Sequence, residues 1–66
     1  MSYVIVCMVK DLRYFVQNYN GELRLNGLKD NAMPYAHKEF AEKDLMEFQR
    51  KFKGQCFVEN NRTIKK

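Results

Sequence analysis

The dipeptide Asn20-Gly21 constrains the fold of this chain most strongly, because it separates two runs of strand-type residues. Both central residues of a type I′ turn need positive φ, which Asn tolerates and Gly adopts freely. The sequence therefore predicts an antiparallel hairpin between residues 12–19 and 22–26. A two-residue loop pairs Tyr19 with Glu22, Asn18 with Leu23, Gln17 with Arg24 and Val16 with Leu25, and paired residues share a face of the sheet.

A third strand is predicted before this hairpin. Residues 3–9 are β-branched, aromatic or soft apolar side chains, which is typical of a strand that is buried on both faces. Lys10-Asp11 is the first polar pair and predicts a turn back into residue 12. This turn would pair Ile5 with Val16 and Cys7 with Tyr14. After the hairpin, residues 28–34 form a connection whose Ala32, Met33 and Tyr35 are expected to pack under a helix.

The helix is predicted from His37 or Lys38 to about Phe52. Its apolar positions Ala41, Leu45, Phe48 and Phe52 repeat at the spacing of one helical stripe. Gly54 is expected to end the helix as its C′ residue, and residues 55–59 form a last strand. The predicted fold is α+β, a small antiparallel sheet (β-β-β-α-β) with one helix on one face, in a single domain 1–60 with a basic tail 61–66.

The chain has 66 residues, and a domain of this size has a small surplus of stability. Such domains are usually supported by disulfides, a metal or association. Cys7 and Cys56 lie in apolar runs with no secretory signal ahead of them, so both are expected to be reduced. His37 is the only other soft ligand, which predicts no metal site and leaves association. No apolar run is long enough for a membrane span, and a cytoplasmic protein is expected.

One helix covers only one face of the sheet, so the opposite face is the candidate binding surface. Its apolar residues would form an exposed patch, which usually marks an interface. The alternatives are that residues 28–34 or the tail cover this patch, or that an odd-length first turn exposes Tyr3, Ile5, Cys7 and Val9 instead. The predicted partner-binding residues are Val4, Val6, Met8 and Phe15, bordered by Arg13, Gln17, Tyr19 and Arg24, with Phe57 joining them if Cys56 and Val58 point inward.

The residues needed for catalysis are scarce. Ser2 and Thr63 lie near the chain ends, and no carboxylate is placed by sequence to orient His37 as a base. The carboxylates of the predicted helix alternate with Lys, which is typical of a solvated face. No phosphate-binding glycine loop occurs. The sequence therefore predicts no enzyme, no catalytic residue and no cofactor.

Positive charge is concentrated at one end of the sequence. Residues 1–48 carry six cationic and seven anionic side chains, whereas residues 49–66 carry six cationic side chains and Glu59 alone. Such a basic end attracts an acidic protein surface or phosphate, although cations also favour a helix C-terminus and a soluble tail. The basic end consists of Arg50, Lys51, Lys53, Arg62, Lys65 and Lys66.

Three parts of the sequence resemble the short accessory proteins of tailed phages. These parts are residues 3–6 (YVIV), residues 20–25 (NGELRL), and Ala32 with Tyr35 leading into residues 38–43 (KEFAEK). Residues 30–59 are also similar to the helix and last strand of the phage antitoxin Dmd family, with Tyr35-Ala36 before the helix. The longer first half with its Asn20-Gly21 hairpin departs from that family.

The resemblance implies a phage protein that acts by binding a host or defence protein, as an inhibitor, antitoxin-like or counter-defence factor in the host cytoplasm. It agrees with the absence of a catalytic pattern and with a spare apolar face. Two alternatives stay open, a small RNA- or DNA-binding module and a homo-oligomeric structural protein. A homodimer through the sheet face is a further expectation, and nucleic acid is the second choice of partner.

Overall fold

The computed structural model describes residues 2–61 of the chain. It confirms the predicted α+β fold, with the helix between the third and fourth strands. The basic tail residues Arg62, Lys65 and Lys66 lie outside the described residues. The elements are β1 (Ser2–Val9), β2 (Leu12–Tyr19), β3 (Glu22–Asn26), a short 3₁₀ turn (Lys29–Asn31), α1 (Lys38–Phe48) and β4 (Gln55–Asn61).

The four strands form one antiparallel sheet in the order β3-β2-β1-β4. All four predicted pairs between β2 and β3 are confirmed, and so is the pairing of Cys7 with Tyr14. β4 pairs with β1 over its whole length, including Val6 with Phe57 and Cys7 with Cys56. β4 extends to Asn61, two residues beyond the predicted end, because Asn60 and Asn61 continue the pairing with Tyr3 and Ser2.

Both hairpin turns have left-handed backbone at their two central residues. Asn20 and Gly21 have φ of 54° and 84°, as the sequence predicts, and Lys10 and Asp11 have φ of 50° and 69°. The Asn20-Gly21 turn suits its residues, whereas side chains such as those of Lys10 and Asp11 are disfavoured at positive φ by about 1–2 kcal/mol per residue. The Lys10-Asp11 turn is therefore the strained one of the two.

Giving the Lys10-Asp11 turn the Asn-Gly sequence of the second turn is expected to stabilise the protein. Lys10→Asn with Asp11→Gly relieves the strain, partly offset by the greater freedom of Gly in the unfolded chain, for a net gain of about 1 kcal/mol. Urea unfolding of the double variant measures this gain. The matched control is Gly21→Ala, which has free space for its methyl group but requires φ of 84°, and should lose about 1 kcal/mol. A double variant that is less stable than wild type would contradict this interpretation of the turn.

The connection from β3 to α1 passes between β1 and β2. The Met33 amide donates to the Val16 carbonyl at 3.0 Å, and Tyr3 and Tyr35 exchange two backbone hydrogen bonds of 2.8 Å. Met33 and Tyr35 pack with the helix-side core, as predicted, but Ala32 packs on the opposite face. The expectation that Ala32 lies under the helix is wrong, because the chain changes sides of the sheet just after it.

The helix-side core follows the predicted stripe. Ala41 and Phe48 are buried, and Leu45 and Phe52 pack against the same cluster. The helix begins after His37 as predicted but ends at Phe48, and Phe52 is placed by the turn that follows, with its ring stacked on that of Phe48 at 5.6 Å. The amphipathic spacing was therefore right even though the last turn of the predicted helix is irregular.

Gly54 is not a C′ residue of the helix, contrary to the sequence prediction. The helix ends at Phe48, six positions before Gly54, and Gly54 does not have positive φ. A Cβ atom at Gly54 would lie 2.2 Å from Cε2 and Cζ of Phe52. A side chain at position 54 would therefore force the Phe52 ring to shift, a constraint that the sequence pattern does not indicate.

Cys7 and Cys56 form a disulfide between β1 and β4, so the expectation of two reduced cysteines is wrong. The two residues are directly opposite in the register, with Cα atoms 4.1 Å apart. The prediction failed because it treated each cysteine as a small apolar residue of its own strand. Only the pairing of β4 with β1 brings together two residues that are 49 positions apart in the sequence.

Candidate interaction surface

The sheet face opposite α1, here called the outer face, has the predicted residues but is not an open apolar patch. Val6 pairs with Phe15 and Met8 with Arg13, so these side chains share the face as the sequence predicts. Val4, Val6 and Phe15 are nevertheless buried, with Val6 0% exposed. The expectation that these three residues form an accessible contact surface is therefore wrong, and they form an outer cluster that is a second small core.

Two features close the outer cluster. Ala32, on the connection that crosses this face, packs against it together with the half-buried Met8. Arg13 on β2 and Glu59 on β4 form an ion pair. Because Arg13 is opposite Met8 and Glu59 is opposite Val4, this pair crosses β1 at the level of Val6. The structure therefore favours the alternative in which residues 28–34 cover the apolar patch.

The aliphatic and guanidinium parts of Arg13 also shield an aromatic ring. The guanidinium carbon lies 5.9 Å from the centroid of the Phe15 ring, near the limit of a cation–π contact. Both Arg13 and Glu59 are more than a third exposed, so their charge attraction is screened and adds little stability. Their main effect is to keep water away from the outer cluster.

The predicted border residues remain accessible on the β2–β3 side. Tyr19 is 50% exposed, and the guanidinium of Arg24 lies 5.0 Å from the centroid of its ring. Arg24 also bonds the Glu22 carboxylate at 3.1 Å. Gln17, which pairs with Arg24, is half-buried. The charges of this border are therefore largely neutralised within the protein.

Phe57 is the exposed aromatic residue on the other side of the outer face. It lies directly opposite Val6 in the register and is 38% exposed. Its neighbours Cys56 and Val58 pack with the helix-side core. The condition under which the sequence placed Phe57 on the outer face, that Cys56 and Val58 point inward, is therefore met. Phe57 and Tyr19 are thus exposed aromatic side chains on either side of the closed centre of the outer face.

Part of the basic end lies beside the hairpin turn. Arg50, Lys51 and Lys53 are exposed and form no ion pair with any acidic side chain among residues 2–61. An open groove of about 400 Å³ separates the end of α1 from the Asn20-Gly21 hairpin. Its lining consists of Gly21, Glu22, Leu23, Glu47, Phe48, Arg50 and Lys51. The structure therefore places two cations of the basic end, Arg50 and Lys51, at this groove together with the carboxylates of Glu22 and Glu47, and Lys53 lies outside its lining.

Two titratable groups elsewhere, Tyr35 and His37, have structural partners. The Tyr35 hydroxyl donates to Oδ2 of Asp44 at 2.7 Å. Burial, and then this hydrogen bond to a carboxylate, raise the pKa of Tyr35 above its ordinary value, so the phenol stays protonated as a donor. His37 packs edge-on against the Phe40 ring.

Within residues 2–61, no cluster of His, Cys, Asp or Glu could hold a metal, and no helix could span a membrane.

Glu59 and Ala32 are the residues that the sequence analysis missed. Glu59 reaches Arg13 only because β4 lies beside β1, and its charge gave no signal of a partner 46 residues away. Ala32 gave a weak signal, since a small apolar residue precedes Met33-Pro34 in an otherwise polar connection. Ala32 packs on the outer face because the residues that follow it pass through the gap between β1 and β2 to the helix side.

No family model, no curated protein and no solved structure is significantly similar to this chain.

Proposed function

We propose that this chain is a non-enzymatic binding protein that occupies an acidic surface of a host or defence protein and inhibits it, as an antitoxin-like or counter-defence factor. The observation that carries this proposal is the pair of cations that line the groove beside the hairpin without an ion-pair partner, Arg50 and Lys51, with the exposed Lys53 two residues further along the chain. Arg13 and Arg24, in contrast, each form an ion pair, with Glu59 and Glu22 respectively.

The contact surface that we propose differs from the apolar patch expected from the sequence. Because Val4, Val6 and Phe15 are buried, the exposed apolar patch that would drive self-association through this face is not present among the described residues. We assign to the contact surface the basic end and two exposed aromatic residues of the outer face, Tyr19 and Phe57. Aromatic and cationic side chains together are the composition that protein interfaces favour. The resemblance to phage accessory proteins supports a protein target.

The test is capture of a partner from phage-infected cell extract with three forms of the chain as bait. The first is wild type, and the second neutralises the groove with Arg50→Gln, Lys51→Gln and Lys53→Gln. The third is a charge-matched control with Lys10→Gln, Lys29→Gln and Lys38→Gln, which are exposed cations at least nine residues in sequence from any residue that lines the groove, apart from Lys29, which is six residues after Leu23. We expect wild type and the control to retain a protein partner that the groove variant loses, by about tenfold or more in affinity.

Nuclease treatment separates the nucleic-acid alternative, which the exposed Tyr19 beside Arg24 keeps open. Bases can stack on such a pair, and binding to phosphates weakens steeply with salt. A partner that disappears after nuclease treatment, or equal retention by the groove variant and the charge-matched control, would contradict the proposed function.

A further inference from the structure

We propose that Cys56 is a reversible modification site, because it is the sulfur of the Cys7–Cys56 disulfide that a small thiol can attack. The ligand class is a low-molecular-weight thiol such as glutathione, which Cys56 would hold as a mixed disulfide. This inference goes beyond the proposed function and does not rest on it, since neither cysteine belongs to the basic end.

The two cysteines of the disulfide differ in burial. Cys7 is 0% exposed and belongs to the helix-side core together with Ile5 and Val16, which are also fully buried. Cys56 packs against this core but is only half-buried. Which sulfur of a disulfide is attacked depends on the access of the thiolate to it. The difference in burial therefore favours attack on Cys56.

The sheet topology gives the attack a direction. β4 is an edge strand, and among residues 2–61 its one strand neighbour is β1. The incoming thiolate approaches a disulfide sulfur from the side opposite to the sulfur that leaves. It therefore reaches Cys56 from the free edge of the sheet, but it would have to reach Cys7 from the β2 side. On that side Tyr14 pairs with Cys7 and shares its face. The topology leaves one approach open and obstructs the other.

The first step exchanges one disulfide for another. The thiolate of the small molecule forms a bond with Sγ of Cys56 while the bond between Cys56 and Cys7 breaks. Cys7 leaves with the electron pair as a thiolate and takes up a proton from water. The number of disulfide bonds is unchanged, because the mixed disulfide replaces the internal one.

A second small thiol completes the reduction. Its thiolate attacks the sulfur of the small molecule that Cys56 holds, and Cys56 leaves as a thiolate and takes up a proton. The two small thiols depart joined as their own disulfide. Each cysteine sulfur has then gained one electron, and each small thiol has lost one.

The fold also provides the reverse reaction. Cys7 lies directly opposite Cys56 in the register, with the two Cα atoms 4.1 Å apart. The Cys7 thiolate can therefore attack the mixed disulfide at Cys56, restore the internal bond and release the small thiol. This return is intramolecular, whereas the capture step depends on the thiol concentration. The state of Cys56 should therefore follow the redox conditions.

The modification acts on a strand that covers both faces of the sheet. β4 places Phe57 opposite Val6 on the outer face, and its Glu59 pairs with Arg13. The disulfide links this strand covalently to β1 across 49 positions of the sequence. Once a thiol has opened the disulfide, β4 is held on the sheet by non-covalent contacts alone. A thiol at Cys56 thus controls how firmly the edge strand is attached.

The test locates the first adduct on the oxidised wild-type chain. The protein is mixed with millimolar reduced glutathione, the exchange is stopped with acid, and peptic peptides are analysed by mass spectrometry. We expect glutathione on peptides that contain Cys56 at about tenfold or more above peptides that contain Cys7. The control is the same reaction in concentrated urea, where both sulfur atoms are accessible and the two adducts should agree within about twofold.

Two variants with one thiol each measure access separately. Cys7→Ala keeps the thiol of Cys56, and Cys56→Ala keeps that of Cys7. In the folded variants, oxidised glutathione should modify Cys56 about tenfold or more faster than Cys7. Circular dichroism at low temperature shows whether each variant is folded. If either one is not, the wild-type measurement decides alone.

Adducts divided equally between the two cysteines under native conditions would show that thiols react with the unfolded chain, and this would overturn the inference. Adducts mainly on Cys7 would overturn it as well. So would the absence of any adduct under native conditions when the urea control gives both. The proposed function is tested separately, by the dependence of partner capture on the basic end.

Discussion

Val6→Lys is expected to unfold the protein at room temperature. Val6 is 0% exposed in the outer cluster, where a lysine would have no carboxylate to pair with except Glu59, which is already bound to Arg13. Burying an unpaired ammonium group, or neutralising it, costs about 4 kcal/mol or more. A domain of this size has a total stability of about 3–5 kcal/mol. Circular dichroism and urea unfolding measure the loss.

Phe57→Lys is the matched control, because Phe57 is the residue opposite Val6 on the same face and is 38% exposed. Its lysine can reach water, so the variant should fold and lose about 1 kcal/mol or less. If Val6→Lys melted within a few degrees of Phe57→Lys, the outer face would be open, and the apolar patch expected from the sequence would be restored.

Loss of the Cys7–Cys56 disulfide is expected to have the second-largest effect. The bond closes a loop across 49 positions, and the chain-entropy argument gives about 4 kcal/mol for a loop of this length. In a domain of this size that corresponds to a fall in Tm of about 20 °C or more. Thermal unfolding of wild type with and without a reducing agent measures it, since reduction keeps both sulfur atoms in place.

The double variant Cys7→Ala with Cys56→Ala serves as the control for that measurement. It should be slightly less stable than reduced wild type, because Cys7 is fully buried and its sulfur atom fills space in the core. Two free thiols in the denatured, unreduced protein, or equal melting with and without reductant, would contradict the disulfide. In the cytosol, where thiols are kept reduced, the chain would have to fold without this contribution.

The strands and the faces of the sheet were predictable because they depend on local sequence. The Asn20-Gly21 and Lys10-Asp11 turns each contain two residues, and that length alone fixes which residues pair and which side chains share a face. The helical stripe of Ala41, Leu45 and Phe48 was predictable for the same reason, since its spacing is a local property.

The accessibility of the outer face was not predictable, because it depends on contacts between distant parts of the chain. Glu59 covers β1 only if β4 lies next to it, and the sequence does not specify that neighbour. Ala32 covers the face only because Met33 and Tyr35 enter the gap between β1 and β2. The same long-range pairing of β4 with β1 also creates the disulfide.

The central claim is that partner recognition uses the basic end, while the centre of the outer face stays closed. The most direct measurement is NMR mapping of amide chemical shifts on the full chain during titration with the purified captured partner. The account predicts that the largest changes fall at Arg50, Lys51 and Lys53 and that Val4 and Val6 are nearly unaffected. Largest changes at Val4, Val6 and Ala32, with the ion pair of Arg13 and Glu59 displaced, would contradict it.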